Sequence, residues 1–205
     1  MAEGLPDGLH PVPPGKQATI VTYLEMTAPP VLLRRPAPDG VTLARHVDID
    51  VYAYRALFLR IGGDLLWWSR LAMDDGQLRS ILTDPDVVVS VLERDGEAVG
   101  LIEFDHRAGA DVELAFFGLV PGVIGGGLGR WMMTEGLAGA WARPATRRVF
   151  VHTCHFDSPA ALPFYLRSGF SAYRTVVEVS DDPRLVGLLP REAAPQVPVI
   201  AAGEG

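Results

Sequence analysis

Residues 112–130, VELAFFGLVPGVIGGGLGR, hold the pattern with the most chemistry in it. An apolar, strand-like run meets Pro121, and then come Gly125, Gly126, Gly127, Leu128 and Gly129, after which helix-forming residues begin. A helix that opens on glycines has bare backbone N–H groups at its start, where the macrodipole favours negative charge. Glycine also removes the side chains that would keep a ligand off the backbone. The stretch therefore reads as a cradle for a phosphate or pyrophosphate. No Lys-Ser or Lys-Thr follows the last glycine, which excludes a Walker-type P-loop. A Rossmann site would need the turn to open the fold in a βαβ unit, whereas here it comes late in the chain.

Other residues could carry acid–base or nucleophilic chemistry. Glu113 opens the strand that leads to the glycine turn. A hairpin closing around Ala108 and Gly109 would set Glu103 roughly opposite it, and two close carboxylates raise the pKa of one toward that of a useful base. His152 and His155 flank Cys154, but the spacing fits no zinc pattern and no second cluster exists. These side chains are read as packing, and no metal is expected. Trp67 and Trp68 either bury apolar area against a sheet or line a pocket, and we expect one of each.

These residues must be positioned by elements that the pattern also marks out. Residues 18–26 and 41–45 read as strands. Residues 48–66 carry apolar side chains at helical spacing, with Asp48 or Asp50 as cap, and 74–82 form a further short helix. Strands follow at 87–93 and 97–105, joined by Asp95-Gly96, a strong hairpin signal, and 112–120 completes a meander. A helix over 128–142 ends before Pro144. A buried strand at 148–153, a helix at 159–168 stopped by Gly169, and a strand at 170–179 finish the pattern. Asp157 and Ser158 suit the start of that last helix, while Pro163 predicts a kink or a loose first turn. The order predicts an α/β chain of α+β character: one mixed, mostly antiparallel central sheet flanked by helices. The strands at 112–120 and 148–153 should be parallel neighbours. Residues 1–17, with four Pro and three Gly, are expected to be a flexible arm, 18–180 one domain, and 181–205 an irregular tail.

The chain of 205 residues is 48% hydrophobic, enough for one well-buried core. Its 18 Lys and Arg against 25 Asp and Glu give a net charge of −7, which argues against nucleic acid as a partner. No apolar run reaches the length of a membrane span, so no membrane partner is expected. One cysteine allows no internal disulfide, and the N-terminus lacks the basic and apolar regions of a signal peptide. A cytoplasmic location is the expectation.

Two spaced motifs make the chain resemble the GNAT superfamily of N-acetyltransferases. In that family a strand ending in Val-x-Pro leads to Gln/Arg-x-x-Gly-x-Gly/Ala at a helix start, which binds the pyrophosphate of acetyl-CoA. Here Leu119-Val120-Pro121 precede Ile124, Gly127 and Gly129, with Ile124 in the Gln/Arg position and Arg130 able to add charge beside a phosphate. The family's Asn-x-x-Ala-x-x-x-Tyr-x-x-x-Gly-Phe is matched by Ser158, Ala161, Tyr165, Gly169 and Phe170, with Ser for Asn. The resemblance covers roughly residues 87–179; earlier elements match only by their order. It implies a GNAT-type acyl-CoA N-acyltransferase fold and acetyl-CoA, or a short acyl-CoA, as donor. Transfer would go directly to a primary amine of a small molecule or peptide, in a ternary complex. It further implies Tyr165 as the acid facing the CoA sulfur, the Leu119 N–H as polariser of the acetyl carbonyl, Ser158 beside the pantetheine arm, Glu113 as base, and by analogy a homodimer. The alternative is a non-catalytic acyl-CoA-binding sensor or scaffold, which would keep the glycine turn without needing Tyr165 or a base.

Overall fold

Alternating burial along Lys16–Met26 makes this segment the first strand, β1, of the computed structural model, which describes residues 4–203. Residues 1–3 of the expected arm and 204–205 of the expected tail lie outside the described residues. A Pro-rich link leads to β2 (Val41–His46) and then to α1 (Val51–Gly62). The α1 cap is Asp50, whose Oδ1 accepts from the N–H groups of Tyr52 (3.0 Å) and Ala53 (2.9 Å). A short 3-10 turn follows, and α2 (Asp75–Leu82) starts on a reciprocal capping box between Asp74 and Gln77.

The meander is β3 (Val87–Arg94), β4 (Glu97–Asp105) and β5 (Asp111–Leu119). Asp95 and Gly96 both take positive φ, 52° and 83°, the backbone that a two-residue hairpin turn requires. Then come α3 (Leu128–Trp141), β6 (Arg148–Cys154), α4 (Ala161–Arg167) and β7 (Ser171–Asp181). The seven strands form one sheet in the order β2-β3-β4-β5-β6-β1-β7, and β5/β6 is its parallel pair. The expected mixed sheet and its parallel neighbours are therefore present. One placement was left open by the sequence and one departs from expectation. β1 sits between β6 and β7, a pairing across most of the chain that no local pattern encodes. α4 starts at Ala161, with Ala160 as an N-cap that makes no side-chain bond, so Asp157 does not cap it. Pro163 falls in the first turn of α4, where its missing N–H removes no helical bond.

Helix α1 packs on one face of the sheet, where Phe58 meets Phe116 edge-on at 4.9 Å between ring centroids. α3 packs on the other, so closely that a Cβ on Gly136 would lie 2.4 Å from Ile102 Cδ1. Among the described residues after β7 there is no helix or strand, yet they are not loose. Arg184 is buried, makes a two-pronged pair with Asp182 (2.9 and 2.7 Å), and donates to the carbonyls of Ala193, Ala194 and Val197. Leu189, Ala193 and Ala194 then bury against Leu66.

The sequence pairs Glu103 with Glu113, and the ladder corrects this. The hairpin register sets Asp105 opposite Glu113, and a bulge between Glu103 and Phe104 shifts the β4/β5 ladder by one residue more, so Glu103 stands opposite Phe116. Glu103 is instead fully buried between Arg70 Nη2 (2.5 Å) and the Tyr54 hydroxyl, which donates at 2.6 Å. One carboxylate thereby ties α1 and the segment before α2 to the middle of the sheet. Removing one partner of a buried pair leaves the other charge uncompensated. Glu103→Ala should cost about 3–5 kcal/mol in urea unfolding, and adding Arg70→Met should recover part of that loss.

Candidate active site

Glycine geometry sets the first part of the site. Gly125 and Gly127 have φ of 105° and 82°, a region that favours glycine. Gly127 is the N-cap of α3 and supplies no side-chain hydrogen bond, and the first helical bond runs from Trp131 N to Gly127 O at 3.1 Å. The N–H groups of Leu128, Gly129 and Arg130 are therefore left for an anion. The first turn of α3 carries no acidic side chain to compete for them.

β5 feeds this turn, and its edge supplies the second part. Register pairs between β5 and β6 end at Glu113 and Phe150, although β5 runs on to Leu119 and β6 to Cys154. The strands part, and a gap opens between them. Val120 N donates to Val99 O at 2.9 Å, so Val120 faces β4. By the alternation of an antiparallel ladder, the amides of Leu119 and Phe117 face the gap.

The gap opens into a cleft of about 1050 Å³. On the α3/α4 side its wall includes Ile124, Gly125, Gly127, Gly129, Arg130 and Leu119, joined by Ser158 and Tyr165 from the β6–α4 turn and α4. Most of the expected site residues therefore share one cavity. Gly126 is not in the wall, and the Leu128 side chain is buried in the core, leaving only its N–H for a ligand. Tyr165 lies edge-on to Phe117, Phe164 and Phe170, and burial holds its phenol well above the usual range, so it stays protonated. Ser158 Oγ accepts from Ala160 N at 3.3 Å and borders the cleft.

On the α1 side the wall includes Trp67, Trp68, Phe116, Gly118, His152 and Phe156. Trp67 stacks among Phe58 and Phe116 and donates from Nε1 to Asp157 Oδ1 at 3.0 Å. It comes this close because Gly118 has no side chain; a Cβ there would meet Ile61 Cγ2 at 2.3 Å and Trp67 Cη2 at 3.2 Å. Asp157 Oδ2 accepts from Thr153 Oγ1 (2.7 Å) and Cys154 N (2.9 Å), locking the end of β6 to Trp67 rather than capping α4. Both tryptophans thus line the cleft, and Trp67 packs in the core as well. Burial pushes the Cys154 thiol up, away from a reactive thiolate.

Glu113 lies outside this cleft, beside a shallow depression with Asp105, Arg107, Asp111 and Phe150. Its Oε1 stands 3.5 Å from His152 Nε2. His152 is expected only to pack, because no spacing marks a histidine whose partner is on another strand. Arg35 carries no such mark either. It reaches the cleft from the Pro-rich link, which is fastened across α3 by Trp131 Nε1 donating to Arg35 O (3.2 Å) and by an Arg34–Glu135 ion pair.

The sequence profile of the acetyltransferase (GNAT) family matches residues 53–170. No curated protein matches the sequence. Among solved structures, a GCN5-related N-acetyltransferase from Kribbella flavida superposes with a TM-score of 0.56 at 20% identity, over 84% of this chain and 63% of that one. One from Sphaerobacter thermophilus gives 0.58 at 17% identity, over 82% and 53%. An aminoglycoside acetyltransferase from an uncultured soil metagenomic sample gives 0.54 at 17% identity, over 68% and 94%. The chain thus spans less than two thirds of the first two, and at these identities the likeness is one of fold. Taken with the match of the family profile over more than half its length, the chain belongs to the GNAT acetyltransferase family.

Proposed function

We propose that the protein is an N-acetyltransferase that moves an acetyl group from acetyl-CoA to a primary amine by direct attack. The observation that carries this reading is the parting of β5 and β6. The gap presents the amides of Phe117 and Leu119 between an uncapped helix start at one end and the Tyr165 phenol in the same cleft. Acetyl-CoA supplies the acetyl group already activated as a thioester.

The chain's own groups fit that donor. The N–H groups of Leu128, Gly129 and Arg130, opened to a ligand by Gly125, Gly126 and Gly127, hold the pyrophosphate, and the Arg130 and Arg35 side chains add positive charge beside it. Ile124 contributes apolar contact and no charge. The edge of β5 pairs with the amide-bearing arm as a neighbouring strand would, with Ser158 alongside. The Leu119 N–H donates to the carbonyl oxygen as negative charge builds there, which is worth more in a partly dry cleft than in water. Tyr165 donates its phenolic hydrogen toward the departing sulfur. Because burial raises its pKa, it remains a donor throughout the working pH range.

Two substitutions test the donor end. Gly127→Val forces a branched side chain into the positive-φ cradle, and CoA should no longer raise the melting temperature. Ile124→Ala should leave that shift almost unchanged, because the binding groups there belong to the backbone. A third variant tests the chemistry. Tyr165→Phe should keep CoA binding but lower turnover by about 10²-fold or more, measured as thiol release with a panel of primary amines. Undiminished turnover would remove Tyr165 from the mechanism.

A further inference from the structure

On the acceptor side of the sheet, one ionisable side chain in the cleft wall is backed by a partner on a neighbouring strand. His152 projects from β6 past the point where β5 leaves it, and its half-exposed imidazole borders the cleft. Glu113 lies behind it at 3.5 Å, and the Tyr23 ring of β1 packs against it at 5.5 Å between centroids. The charged groups facing it are Glu113 from β5, Glu178 from β7 and Asp157 from the β6–α4 turn. Arg174 of β7 lies over the far neighbour Tyr23, 5.5 Å from the ring centroid. The surroundings of the imidazole are therefore mainly acidic. The other two acids weighed for the reaction are placed differently: Glu103 is sealed between Arg70 and Tyr54, and Glu113 does not border the cleft.

We propose that His152 is the general base of the reaction and that Glu113 is its positioning residue, holding one ring nitrogen so that the other faces the acceptor amine. This inference rests on the acetyl-transfer reading above. Counted along the parallel register, His152 stands level with Ala115, four residues before Leu119 on the same edge of the cleft. The proton therefore passes between the amine and the imidazole through water in the cleft. An amine arrives as an ammonium ion, which has no lone pair to attack with. His152 takes that proton and passes it to solvent, the free amine forms the N–C bond to the acetyl carbon, and the C–S bond breaks. The sulfur leaves with the electron pair and takes the Tyr165 proton, the second amine proton leaves by way of His152 to solvent, and solvent returns a proton to Tyr165. The same acidic surroundings attract the ammonium form of the acceptor to this end of the cleft.

The Glu113 carboxylate holds the imidazole above its ordinary pKa, against the opposing effect of burial, and Asp157 and Glu178 add to it. The base is therefore protonated and idle at low pH, and activity should rise through a limb lying above the usual histidine range. Glu113→Gln removes the main support, so that limb should move to lower pH.

The first measurement needs no substrate. A histidine NMR titration of the free protein should give His152 a raised pKa that falls in Glu113→Gln; an unchanged value in the variant overturns the pairing. The second uses acetyl-CoA with a panel containing spermidine, tyramine, lysine and an aminoglycoside. His152→Asn should lower kcat by roughly 10²-fold and flatten the ascending limb, while CoA still raises the melting temperature. Added imidazole should restore part of the rate in His152→Gly. Wild-type-like pH profiles in His152→Asn would defeat the assignment of the base alone. CoA binding with no transfer to any amine by the unaltered protein would defeat the acetyl-transfer reading instead.

Discussion

Hydrogen bonding between β5 and β6 stops after Glu113 and Phe150, and the site exists because it stops there. A continuous parallel ladder would consume the outward amides of Phe117 and Leu119 and leave nothing between the strands but core. Strands that part must be held apart, since unpaired backbone in a sheet is costly unless water or a ligand serves it. Two clamps do this from opposite faces. On the α4 face the rings of Phe117 and Phe164 stack at 5.2 Å, with Tyr165 edge-on to both. On the α1 face Trp67 wedges against Phe116 and holds the end of β6 through Asp157. The groups that define the gap are thus the groups that border the cleft, so architecture and site share the same residues.

Electrostatics then separates the two ends of the cleft. The chain is acidic overall, with a net charge of −7, yet Arg35 and Arg130 stand in the wall near the bare α3 N-terminus. At the other end the neighbours of His152 are Glu113, Asp157 and Glu178. The fixed charges of Glu103 and Arg70 add little to either field, because each neutralises the other in the core. Net charge alone would have predicted no anion site here. Local placement of a few cations and of oriented N–H groups outweighs it, since fields in a cleft depend on what lines it.

Much of this was legible in the chain. Period-two and helical spacing gave nearly every element, and caps such as Asp50 and Asp74 were readable because they act on residues next to them. That the glycine turn opens α3 and that Tyr165 lies on α4 was readable for the same reason, since both follow from short-range spacing. What failed was long-range. The hairpin register, which already sets Asp105 opposite Glu113, separates Glu103 from Glu113, and the bulge between Glu103 and Phe104 adds one residue to the offset. Asp157 looked like a helix cap because capping is its commonest local use, while its partners Trp67 and Thr153 are set by tertiary packing. His152 gains its meaning from Glu113, 39 residues earlier on the neighbouring strand, and no motif contains both. Arg184 was read as part of an irregular tail, although its guanidinium organises the segment around it.

The two halves of the cleft differ in where their residues come from in the chain. The end of the cleft proposed for the donor is built almost wholly from residues 117–165, a continuous stretch inside the region that matches the family profile. The end proposed for the acceptor draws its floor from both ends of the chain: Gln17 and Thr19 on β1 and Glu178 and Ser180 on β7 border the cleft with His152 and Cys154 of β6. β1 and β7 lie outside the matched residues, and β1 fills the slot between β6 and β7 from the opposite end of the sequence. Binding a common donor requires backbone geometry, which a short motif can encode. Choosing an acceptor requires side chains brought together by distant strand pairing, which a short motif cannot. The same division explains why the sequence points to a family and leaves the acceptor open. The chemistry that would identify the amine is therefore to be sought along the β6–β1–β7 face, between His152 and Glu178.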